Sequence, residues 1–162
     1  MILEGIWIFF QFPNSSYSRC SKLSDRGIER LCQGFDELNQ LTNLSLNFSW
    51  TDNISNVSLE YLRKSLEKQI HLKSLSFDFH SLSSSSSNSS GVSDVGVGFL
   101  SSALAKLTNL TFLSFNMEKY YYDKKLLSYF SRCKVADESL YHLKEAIVHL
   151  QHLHTFKLNV NR

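Results

Sequence analysis

Leu41-Thr42-Asn43-Leu44-Ser45-Leu46-Asn47-Phe48 constrains this chain more than any other stretch, because Leu72–Phe79, Leu110–Met117 and Leu153–Val160 repeat its order of apolar and polar residues. Each reads Leu-x-x-φ-polar-φ-polar-φ, where φ is apolar. Strict alternation sends successive side chains to opposite faces, so each segment is expected to be a short strand with one buried and one open face. Recurrence down one chain means stacked units, each too small to bury its apolar face alone.

A helical run precedes each strand at a fixed distance. Asp25, Asn56, Asp94 and Asp137 each stand nineteen residues ahead of the first inward strand residue, which is Leu44, Leu75, Leu113 or Phe156. In the first helix Ser24 or Asp25 is the expected N-cap, accepting a bond from otherwise unpaired backbone N–H groups; in the others Asn56, Asp94 and Asp137 hold the cap. One helical face then follows in three rows: Ile28, Leu59, Val97 and Leu140; Leu31, Leu62, Leu100 and Leu143; Phe35, Leu66, Leu104 and Ile147. Leu38 extends that face in the first helix. Gly34, Ser65, Ala103 and Ala146 are all small, which lets each helix lie close to the sheet or to a neighbouring helix.

Repeat strands are expected near residues 6–12, 44–48, 75–79, 113–117 and 156–160. Ile6–Phe12 has the β-branched and aromatic content of a strand, with Ile8, Phe10 and Phe12 matched to Leu44, Leu46 and Phe48. The connections from strand to helix vary. About six residues follow Phe48; a flexible Ser-rich insert occupies 80–92; a Tyr/Lys-rich insert occupies 118–135.

Composition narrows the class further. A chain of 162 residues with 43% hydrophobic content and one Pro suits a single folded domain over 1–162. A formal net charge of +2 is too weak to argue for nucleic acid or an anionic membrane as the main partner. Cys20, Cys32 and Cys133 are odd in number and widely spaced, which suits neither a disulfide framework nor a zinc site and points to a reducing, cytoplasmic compartment. Met1–Phe12 is apolar, but it carries Glu4, lacks basic residues at its start and has no small-residue cleavage site; it also falls short of the ~20 residues that cross a bilayer, so no membrane insertion is expected.

The repeated segments resemble the leucine-rich-repeat family, in its longer ribonuclease-inhibitor-like class. The motif Leu-x-x-Leu-x-Leu stands at Leu41–Leu46, with variants at Leu72-x-x-Leu75-x-Phe77, Leu110-x-x-Leu113-x-Phe115 and Leu153-x-x-Phe156-x-Leu158. The resemblance covers roughly Ser24 to Val160 and implies a right-handed α/β horseshoe arc, a solenoid of about five parallel strands and four repeat helices. Just after the motif, where the family usually carries Asn or Cys, the chain holds Ser49, His80, Glu118 and Asn161, so the first three of these places depart from the family. No capping motif of the family is recognisable at either end, so an apolar repeat face is expected to stand open or against a partner.

The resemblance also implies a concave face made of the outward strand residues: Phe9 and Gln11, Ser45 and Asn47, Ser76 and Asp78, Ser114 and Asn116, Lys157 and Asn159. These are the candidate partner-binding residues, joined by Tyr120, Tyr121, Tyr122, Lys124 and Lys125 of the second insert, whose aromatic and basic side chains suit an acidic protein surface. Trp50 is either an interface anchor or a cover for the core edge. For catalysis, Ser/His/acid and Cys/His sets, paired carboxylates and phosphate-binding glycine loops all lack supporting context; Gly91–Gly98 leads from a linker into a helix. His142, His149, His152 and His154 have no acidic or Cys ligand to complete a metal site. The chain is therefore expected to be non-enzymatic and free of cofactors. It reads either as a protein-interaction module or as a structural subunit of a larger assembly held through its ends.

Overall fold

A computed structural model of the chain describes residues 5–9, 23–38, 40–49, 51, 53–79, 92–117 and 137–159, with backbone alone for 5–9. Five strands form one parallel sheet in chain order: β1 (Gly5–Phe9), β2 (Asn43–Asn47), β3 (Ser74–Asp78), β4 (Phe112–Asn116) and β5 (Thr155–Asn159). Four helices alternate with them: α1 (Asp25–Asp36), α2 (Asn56–Leu66), α3 (Asp94–Leu104) and α4 (Asp137–Ile147). Among the described residues, helix-to-helix contacts run only between helices adjacent in the chain, and strand-to-strand contacts only between adjacent strands.

The strands lie one residue earlier than the apolar pattern suggests. Phe48, Phe79 and Met117 fall just past their strand ends, yet they are buried. Their N–H groups extend the ladder to the next strand, Phe48 donating to Asp78 O at 2.7 Å, Phe79 to Asn116 O at 2.7 Å and Met117 to Asn159 O at 2.8 Å.

β1 requires a correction of two residues. Ile6 pairs with Leu44 and Ile8 with Leu46, so Trp7 and Phe9, not Phe9 and Gln11, occupy the ladder positions beside Ser45 and Asn47. An alternating run maps onto itself when shifted by two, so periodicity identifies the inward set without fixing its register. Gln11 lies outside the described residues, as do Trp50, Cys20, Cys133, residues 80–91 of the first insert and all of the insert at 118–135. Val92, the last residue of the first insert, belongs to the core and is buried.

The first helix is capped by Ser24, one of the two expected residues, whereas the second and third caps stand one residue before the expected Asn56 and Asp94. Ser24, Ser55 and Ser93 are the N-caps, all in extended backbone conformation, and Asp25, Asn56 and Asp94 are the first helical residues. Ser55 caps with its own side chain, accepting from Val57 N at 3.1 Å. The acid and amide side chains reach instead to the following repeat. Asp25 accepts from Ser55 N at 2.9 Å, from Ser55 Oγ at 2.7 Å and from the Ser58 hydroxyl. Asn56 accepts from Ser93 N at 3.0 Å and donates to Ser93 Oγ at 2.9 Å. Asp94 accepts from Ser139 N at 3.1 Å and from the Ser139 hydroxyl. Unpaired groups at one helix start are thus satisfied by the side chain of the helix before.

One apolar cluster runs through the stack, from Ile28 and Leu44 to Leu143 and Leu150. Phe48 and Phe79 stack at 5.5 Å between ring centroids, Phe77 and Phe79 at 5.6 Å, and Phe77 and Phe115 meet at 5.2 Å, within the range of favourable aromatic pairs. In α1 the buried residues are Ile28, Cys32 and Phe35, whereas Leu31 and Leu38 are only partly buried. The small-residue row faces the preceding helix: Ser65 is buried and its hydroxyl donates to Cys32 O at 3.3 Å. Gly34, in a helix with no described helix before it, has nothing within 4 Å of where a Cβ would sit.

Candidate interaction face

Helices cover one face of the sheet, and among the described residues no element covers the other. In β2, β3 and β4 the central residues alternate so that Leu44 and Leu46, Leu75 and Phe77, and Leu113 and Phe115 are buried, while the residues between and beside them are half-exposed. Parallel pairing brings the outward residues of successive strands side by side. One row runs Ser45, Ser76, Ser114, Lys157, and the next runs Asn47, Asp78, Asn116, Asn159, with the backbone of Trp7 and Phe9 in register beside Ser45 and Asn47. The eight candidate residues from β2 to β5 therefore form two adjacent rows about 15 Å long at the usual strand spacing of ~4.8 Å.

The rows differ in chemistry. Asn116 Nδ2 donates to Asp78 Oδ1 at 3.1 Å, and Asn47 Oδ1 accepts from Ser49 N at 2.9 Å, so amides and carboxylate are held by neighbours. The hydroxyls of Ser45, Ser76 and Ser114 make no hydrogen bond to another described residue. Lys157 closes the row, with Nζ 5.5 Å from the centroid of the Phe112 ring in a cation–π contact that holds the ammonium over the sheet.

A third outward row escaped the sequence reading: Asn43, Ser74, Phe112 and Thr155, in register with Gly5. These positions fall before the first inward residue of each strand. Placing the strands one residue early would have found them. Tyr120, Tyr121, Tyr122, Lys124 and Lys125 lie outside the described residues and are not placed against this face.

Chemistry elsewhere is limited. Cys32 is free and buried, and burial together with the nearby Asp36 carboxylate pushes its thiol up to about 12. A thiol so protonated is a poor nucleophile. Among the described residues no group of three or more His, Cys, Asp or Glu side chains is placed to hold a metal ion. His142 sits against Gly98 of α3, and the His154 ring meets His152 O at 2.5 Å. On the outer helix surface the Tyr61 phenol is shifted upward, chiefly by Glu29, which also accepts its hydrogen bond. Glu67 is shifted downward, chiefly by its bond from Lys106 and also by Arg63. No described helix is long and apolar enough to cross a membrane.

Comparison with protein-family models, with curated proteins and with solved structures found no match.

Proposed function

We propose that the chain is a leucine-rich-repeat solenoid of the ribonuclease-inhibitor-like class and that it serves as a non-enzymatic protein-interaction module or scaffold, binding a protein partner through the half-exposed sheet face. The observation that carries this reading is the unbroken row Ser45, Ser76, Ser114, Lys157, aligned across four strands with its three hydroxyls unengaged by described neighbours. Short hydroxyls can bond backbone N–H and C=O groups without first being desolvated from a deep site. Lys157 at the end of the row, with Asp78 and Asn116 in the row beside it, supplies the charge and amide pattern that selects one partner over another. A cytoplasmic setting is consistent with the free, buried thiol of Cys32.

Affinity capture from native extract tests the reading. Ser76→Arg with Ser114→Arg fills the row with bulk and charge while leaving the core untouched, and should abolish capture of a partner that the wild-type chain retains. Lys64→Glu, on the exposed surface of α2, should leave it unchanged. Capture insensitive to the serine pair would overturn the assignment to this face.

A second reading, a subunit held in an assembly through its ends, draws on the inward strand row, where Leu44, Leu75 and Leu113 are buried but Phe156 is 38% exposed.

A further inference from the structure

The apolar rows that close in the first three repeats open in the fourth. Ile28, Leu59 and Val97 are buried and Leu140 is only half so; Phe35, Leu66 and Leu104 are buried and Ile147 is only half so. Two large apolar side chains stand well out here, Tyr141 on α4 at 54% and Val148, just past its end, at 70% exposure.

Repeat equivalence explains where they stand. Tyr141 takes the place of Glu29, which receives the Tyr61 phenol, and of Gly98, which receives His142. Val148 takes the place of Asp36, bonded to Lys68 of the next repeat, and of Glu67, bonded to Lys106 of the next repeat at 2.9 Å. Both positions are therefore the ones that meet a following helix. Beside them β5 is paired on one side only among the described residues.

We infer that the α4–β5 end is a twofold interface with a second copy of this chain. A head-to-tail stack fits poorly: β1 of the second copy would lie beside β5, and its α1, set between its own β1 and β2, would stand one repeat too far on to cover α4. A twofold axis instead lays α4 antiparallel to itself, and α4 is self-complementary in that sense. With Tyr141 opposite Val148 of the second copy, Lys144 falls opposite Glu145. Each apolar contact and each opposite-charge pair then forms twice, as an isologous interface requires. Lys144 and Glu145 are already 3.4 Å apart within one chain, so the two copies would join two such pairs into one network at the rim. This inference does not depend on what binds the sheet face.

Sedimentation velocity on the full chain over a range of concentrations tests it, with far-ultraviolet circular dichroism and melting curves to confirm that each variant is folded. The wild type should dimerise. Val148→Glu and Tyr141→Glu should be folded monomers. Lys144→Glu should weaken the dimer about tenfold or more, and Lys144→Glu with Glu145→Lys should restore it, since the swap re-forms the pair. A wild-type chain that stays monomeric, whether another protein or another part of the chain covers this face, would overturn the inference. So would a dimer untouched by Val148→Glu, or a double swap no better than the single change.

Discussion

Asn56 stands where its sister repeats have Asp25 and Asp94, and Gly96 stands where they are met by Ser58 and Ser139; the two departures are one. Asp25 and Asp94 each take a serine hydroxyl from the next helix, whereas a Cβ added at Gly96 would meet Asn56 Oδ1 at 2.5 Å and Leu59 Cδ1 at 2.7 Å. Asn56 Oδ1 is held in place by Ser93 N, so it cannot yield without losing that bond. Gly96→Ala should therefore lower stability by about 1–3 kcal/mol, despite alanine's better helix propensity. Gly96→Ser with Asn56→Asp should recover part of the loss, which a double-mutant cycle in urea would measure. Cys32 gives a pH prediction. Its folded value, about 12, lies above the ordinary 9.0, so its contribution is fully present below pH 9 and is lost as pH rises from 9 towards 12. Denaturation at a series of alkaline pH values should show that decline in the wild type and a flatter profile in Cys32→Ala. The sequence displayed the Ser-Asp, Ser-Asn and Ser-Asp pairs in register, but not their targets, since capping by one's own helix and capping by a neighbour leave the same residues at the same spacing.

At the scale of elements, the nineteen-residue interval from Asp25 to Leu44 and its three repetitions were enough to place helices and inward strand residues, because a helix packed on a strand in a repeated unit admits little variation in length. β1 was less legible: Ile6, Ile8 and Phe10 are interchangeable with Ile8, Phe10 and Phe12 under a two-residue shift, and only pairing with β2 decides. Leu75, fully buried between α2, α3 and the sheet, should cost about 2–5 kcal/mol when replaced by Ala. Phe156 occupies the equivalent place at the sheet edge and is 38% exposed, so Phe156→Ala should cost clearly less. Matched urea melts of the two variants check the difference, and equal losses would mean that β5 is covered as fully as β3. Lys106→Ala breaks a bond to Glu67 across adjacent helices and should cost no more than about 1 kcal/mol, with the loss shrinking at high salt. The same bond holds the Glu67 carboxyl low, so its contribution is present above the ordinary carboxylate range and fades as pH falls through it.

At the scale of the whole molecule, contacts between described elements of one kind run only between sequence neighbours, so each repeat is held by the ones beside it. That arrangement separates two surfaces with different prospects. The sheet face is polar, aligned and built from the strands' outward residues. The α4–β5 end is apolar because a repeat that normally meets another meets nothing described. Alternation marked Ser45, Asn47, Ser76, Asp78, Ser114, Asn116, Lys157 and Asn159 as outward residues of their strands, the resemblance to leucine-rich repeats implied that they share one face, and the equal parallel register of β2 to β5 brings them together. Which protein the proposed binding face would meet depends on that partner's shape as much as on this chain, and no periodicity encodes it. Crosslinking mass spectrometry in native extract tests the central claim most directly, because Lys157 lies within the proposed binding row and Lys64 lies on the exposed helix side. The account predicts crosslinks from Lys157 to one other protein, lost in the Ser76→Arg, Ser114→Arg variant and absent from Lys64. Crosslinks from Lys157 that survive that variant, or partner crosslinks concentrated at Lys64, would contradict it.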